Sequence, residues 1–87
     1  MKVRDIFTDP SRWCRITYAI TQDGVLCHPG EPQAYSFCLV GAVMHCYEDT
    51  LPVMQKLEKA CDPLTPTLYN DTKSFREIQK LVQELDI

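Results

Sequence analysis

A mostly helical α+β fold, with one small β-hairpin packed on a helical core, is predicted by three features of the sequence. The run Phe37–Met44 holds no charged residue, and its apolar side chains fall on every side of a 3.6-residue period, which marks a helix surrounded by other elements. Asp23-Gly24 follows an alternating apolar segment and is the strongest short-range hairpin signal. Phe75, Ile78, Leu81, Val82 and Leu85 form an amphipathic face behind Ser74-Phe75-Arg76-Glu77, which has the form of a capping box. With 87 residues, the chain 1–87 is one small globular domain with a single modest core.

The elements follow in order. Asp9-Pro10 starts a helical turn, since Asp caps and Pro suits the first helical position. A short helix within residues 1–13 therefore delivers Trp13 to the core. From Arg15 the period changes to two: Ile16, Tyr18 and Ile20 alternate with Thr17, Ala19 and Thr21, as in a half-buried strand. Gln22-Asp23-Gly24 turns it, Val25-Leu26-Cys27 returns, and His28-Pro29-Gly30-Glu31-Pro32 ends the ladder. Ala34–Tyr47 is then the central helix, with Gly41 marking close approach of another backbone. Thr50 caps a further helix with Pro52 in its first turn and an inward stripe of Val53, Met54, Leu57, Ala60 and Cys61. Asp62–Pro66 reads as a loop stiffened by two prolines, and the last helix begins near Asp71 or Ser74. The expectation is three main helices, a short N-terminal helix and one hairpin.

Composition narrows the function classes. Nine basic against twelve acidic residues give a net charge of −3, which argues against direct binding of nucleic acid through a broad basic surface. No apolar run is long enough to span a bilayer, and the N-terminal segment lacks the apolar stretch of a secretion signal. A cytoplasmic chain without membrane contact is expected. The five cysteines, Cys14, Cys27, Cys38, Cys46 and Cys61, are odd in number and irregular in spacing. No close Cys pair offers a zinc site, so reduced thiols with no metal and no cofactor are expected.

The order of landmarks resembles that of a family of small uncharacterised proteins of bacteriophages and bacteria, known only as a domain of unknown function. The residues carrying it are Trp13, the Asp23-Gly24 turn, Ala34 followed by Cys38-Leu39-Val40-Gly41-Ala42, and Tyr69-Asn70-Asp71. The resemblance covers nearly the whole chain, although Tyr69 stands where the family more often has Trp. It implies a phage or mobile-element setting and brings no activity with it.

With no catalytic motif in view, the function expected is non-catalytic binding. The concrete form is a phage accessory protein that inhibits a host process or bacterial defence system, CRISPR included, by binding a host protein or protein complex. Loops carry binding residues disproportionately, and hot spots favour aromatic residues and arginine. Those criteria select Arg15 and Tyr69, with Arg12, Asn70, Asp71 and the turn residues Gln22 and Asp23 beside them. Asn70 and Asp71 have an alternative role as helix caps. Two rival functions remain. One is a sponge for a nucleotide signal, using Trp13, Tyr35, Tyr69, Arg12 and Arg15. The other is a minor enzyme built on Cys38, whose thiol a helix N-terminus could activate if a histidine lay within reach. His45, seven residues on, lies roughly 10 Å away along such a helix, too far for contact.

Overall fold

The computed structural model describes all residues, Met1–Ile87. Its order is α1 (Val3–Ile6), a 3₁₀ turn (Pro10–Arg12), β1 (Ala19–Thr21), β2 (Ala34–Phe37), α2 (Leu39–Cys46), α3 (Leu51–Cys61), α4 (Pro66–Thr72) and α5 (Phe75–Leu85). The α+β, mostly α class is therefore as expected, with one helix more than the sequence reading supplied. That helix is α4. Pro66 and the Thr65 hydroxyl, which accepts the Leu68 N–H at 3.1 Å, start a helix where two prolines had been read as a loop.

The two-stranded antiparallel sheet differs from the expected hairpin in its partner. Ala19 pairs with Phe37 and Ile20 with Ser36, so β1 lies against residues assigned by sequence to the central helix. The Asp23-Gly24 turn does form, with Gly24 at φ +85° and the Thr21 N–H donating to the Val25 carbonyl at 2.8 Å. Its return arm, however, makes only one isolated bridge, Leu26 to Ile20. Ala34–Phe37 can serve as strand or helix by composition. The strand wins because both its edges find partners: β1 on one, and on the other the Cys14 N–H, which reaches the Phe37 carbonyl at 3.1 Å.

The chain leading into β1 also departs from the expected burial alternation. Ala19 is fully buried, while Ile16 is 91% exposed and Tyr18 50% exposed. The cause is tertiary. Cys38 donates its N–H to the Tyr18 carbonyl at 3.3 Å, drawing that stretch of backbone over the start of α2. Gly41 makes room for it: a Cβ there would stand 1.9 Å from the Tyr18 oxygen. The close approach expected at Gly41 is thus present.

Helix α2 is the central one, with Leu39, Gly41, Ala42 and Val43 buried, but it begins at Leu39 rather than Ala34. Around it pack Val3, Ile6 and Phe7 from the N-terminus, Phe37 from β2, Leu57 from α3, and Ile78 and Val82 from α5. Ala60 of α3, expected inward, is exposed. Helix α5 carries the expected capping box, with Ser74 Oγ accepting the Glu77 N–H and Glu77 Oε1 accepting the Ser74 N–H. The two ends of the chain meet: the Val3 N–H donates to the Ile87 carbonyl at 2.6 Å, and Asp86 pairs with Lys2 and Arg4.

Candidate functional site

One cavity of about 330 Å³ opens beside the Trp13–Tyr18 loop, lined by Ile16, Thr17, Tyr18, Cys38, Thr67 and Asp71. Each wall has a local reason. Thr67 and Asp71 stand four residues apart on α4 and so share a helix face. Cys38 caps α2, its Sγ accepting the Gly41 N–H at 3.3 Å, and forms the floor. The third wall is the loop itself, tied down at several points. The Ile16 N–H donates to Asp71 Oδ1 at 3.0 Å, the Arg15 guanidinium donates to the Lys73 carbonyl, and the Cys14 thiol donates to the Thr17 carbonyl.

Those ties hold Ile16 at φ +76°. An L-residue in the left-handed region loses about 1–2 kcal/mol, and for a β-branched side chain the conformation is a true outlier. The strained isoleucine moreover points its side chain into water. Tyr18 before β1 and Val25 and Leu26 in the turn arm after it are likewise exposed apolar residues, at 50%, 61% and 71% exposure.

Beneath the loop lies Asn70, fully buried. Its Oδ1 accepts the Trp13 Nε1–H at 2.7 Å and the Leu39 N–H at 3.0 Å, while its Nδ2 donates to the Cys14 carbonyl and to Asp71 Oδ1. Asn70 therefore satisfies the first N–H of α2 from across the fold, joining Trp13, the loop and α4 to the central helix. This corrects its assignment as a contact residue: it acts under the surface, and so does the indole N–H of Trp13. The expected capping role is real, but the helix it serves is α2; α5 is capped by Ser74.

The other sequence candidates scatter. Asp71 lines the cavity, and Arg15 flanks it, stacked 4.8 Å over the Trp13 ring. Arg12 lies 4.5 Å over Tyr35 and donates to that residue's carbonyl. Tyr69 has Lys73 over its ring and lines a second, smaller cleft of about 240 Å³ with Glu77, Lys80, Leu81 and Glu84. Gln22 and Asp23 are exposed at the turn tip. The arginine–aromatic pairs proposed for a nucleotide are thus closed on each other, and neither arginine lines the cavity. Sequence reasoning missed Ile16, Thr17, Tyr18 and Thr67. Only the Thr67/Asp71 spacing could have signalled the site, and it has meaning only once α4 is known to be a helix.

Chemistry at Cys38 runs against nucleophilic use. Burial pushes its thiol pKa up, outweighing the N–H bonds from Gly41 and Val40 that favour the thiolate. Nearby Cys14 is raised to about 12, first by burial and then by the neighbouring Cys38. His45 Nδ1 is bonded to the Pro29 carbonyl at 2.7 Å with its ring against Phe37, and His28 Nδ1 accepts the Gly30 N–H. Neither histidine is arranged as a base for Cys38. All five cysteines are free thiols, no group of His, Cys, Asp and Glu is placed to hold a metal ion, and no helix is long and apolar enough to cross a membrane.

No family model matches the chain, and no curated protein or solved structure matches it either.

Proposed function

We propose that this chain is a non-catalytic binding protein whose contact surface is the Arg15–Tyr18 loop together with the exposed turn arm, Val25 and Leu26, that follows β1. The observation carrying the proposal is Ile16, at once strained at φ +76° and 91% exposed. Both properties disfavour the free protein, and three separate ties maintain them. Strain held by its surroundings is characteristic of functional positions, because the geometry is then ready before the partner arrives. An exposed apolar knob with Arg15 before it in the loop and the half-exposed Tyr18 two residues on has the make-up of an interface centre.

The partner class is a host protein or protein complex. The narrower form, a phage accessory inhibitor of a host process or defence system, is supported by the small size of the chain and by its resemblance to the phage and bacterial family. The experiment is affinity capture from bacterial lysate with immobilised wild type, Ile16→Asn and Lys56→Ala. Asn tolerates the left-handed region and removes the knob, while Lys56 is exposed on α3 and lies outside the proposed surface. A partner retained by wild type and Lys56→Ala but lost with Ile16→Asn is expected. Identical capture by wild type and Ile16→Asn would overturn the reading.

A further inference from the structure

The geometry points to the cavity beside Ile16 as a socket for one cationic side chain of the partner, an arginine foremost, with the Asp71 carboxylate as its counter-charge. The inference rests on the binding surface proposed above and deepens it. Asp71 Oδ1 already accepts the Ile16 N–H and an Asn70 N–H, so the loop is held by one oxygen and the other is left for a ligand. No basic side chain pairs with Asp71: the ion pairs of the chain use Asp86 and Glu84. The nearest cations in sequence are turned to other partners, Arg15 over Trp13 and Lys73 over Tyr69.

The remaining lining fits the same occupant. Thr17 and Thr67 bring hydroxyl-bearing side chains to the lining, and Ile16 and Tyr18 bring exposed apolar surface to it. A charged head on an alkyl stem matches a lining that holds both a carboxylate and apolar side chains, and a guanidinium binds carboxylate and hydroxyl oxygens through its planar fork. Size decides between a side chain and a nucleotide. At about 330 Å³ the cavity is at the bottom of the range of small-molecule sites, about 300–1,000 Å³, and an extended side chain suits it better. The carboxylate would also repel a phosphate.

The test is an amide-resolved NMR titration with n-butylguanidinium chloride, using n-butylurea as the neutral control of the same shape. Wild type should show saturable shifts at Ile16, Thr17, Cys38 and Thr67, weakened by added salt, and none with n-butylurea. Asp71→Asn, whose amide oxygen can still accept the Ile16 N–H, should bind the probe at least tenfold more weakly. Thr67→Lys, one helical turn before Asp71, should fill the socket from within and block the probe, which keeps the test open if Asp71→Asn does not fold. Absence of saturable shifts in wild type, or equal shifts with n-butylurea, would overturn the socket. Should capture still depend on Ile16 in that event, the surface reading stands without it; should probe binding persist while capture ignores Ile16, the socket stands and the surface reading falls.

Discussion

Asn70 and Gly41 show how much of this fold depends on single residues. Asn70→Ala would leave the buried Leu39 N–H without its partner, together with the part-buried Trp13 indole N–H and Cys14 carbonyl. An unsatisfied buried group costs about 1–3 kcal/mol and part-buried ones less, so a loss of about 2–3 kcal/mol in chemical denaturation is expected. Gly41→Ala should be at least as damaging, since even a methyl group meets the Tyr18 oxygen at 1.9 Å. Overpacking of about 3 kcal/mol would lower the melting temperature by more than about 10 °C in a domain of this size. The thiols give a residue-scale prediction in pH. Burial raises the folded pKa of Cys14 to about 12 and of Cys61 to about 11, above the ordinary value of 9.0. The unfolded chain therefore loses those protons first, and stability present below pH 9 should decline progressively as pH rises toward 11 and 12. Alkaline denaturation curves of wild type and Cys14→Ala would check this: the variant should lose stability less steeply above pH 9.

Among the elements, those whose signal is local were legible in sequence: the Asp9-Pro10 turn, the Asp23-Gly24 turn, and α5 with its Ser74/Glu77 box. Elements decided by tertiary partners were not. Ala34–Phe37 becomes a strand because two segments of chain need its edges, and α4 forms from a proline-bounded segment whose sequence also suits a loop. The burial of Ala19 in place of Ile16 and Tyr18 has the same origin: alternation gives two faces, and the Tyr18–Gly41 contact sets which residues turn inward. The site was legible in part, through Asp71 and Arg15. Ile16 was not, since nothing local marks a β-branched residue for positive φ. The closure of the termini carries its own prediction. Hydrogen bonds from Lys2 and Arg4 hold the Asp86 carboxyl below the usual carboxylate range. Its stabilising effect is present above the unfolded carboxylate pKa and is lost as pH falls through the folded one. Asp86→Asn should therefore flatten the acid limb of the stability profile and leave neutral-pH binding unchanged.

At the scale of the whole molecule, a core centred on α2 holds one strained loop outward. Cys38, the one thiol lining the cavity beside that loop, has its pKa raised by burial, which disfavours the reactive thiolate. The binding surface proposed for this loop carries a trade-off between stability and function, because its strain costs the free state. Relieving the Ile16 strain should make the fold more stable and the binding weaker. The melting temperature of Ile16→Asn against wild type tests this most directly, with no partner needed. Relief of about 1 kcal/mol should raise it by about 4–8 °C. A fall of similar size would mean that the Ile16 side chain supports the fold, contradicting its role as a strained, outward-held contact.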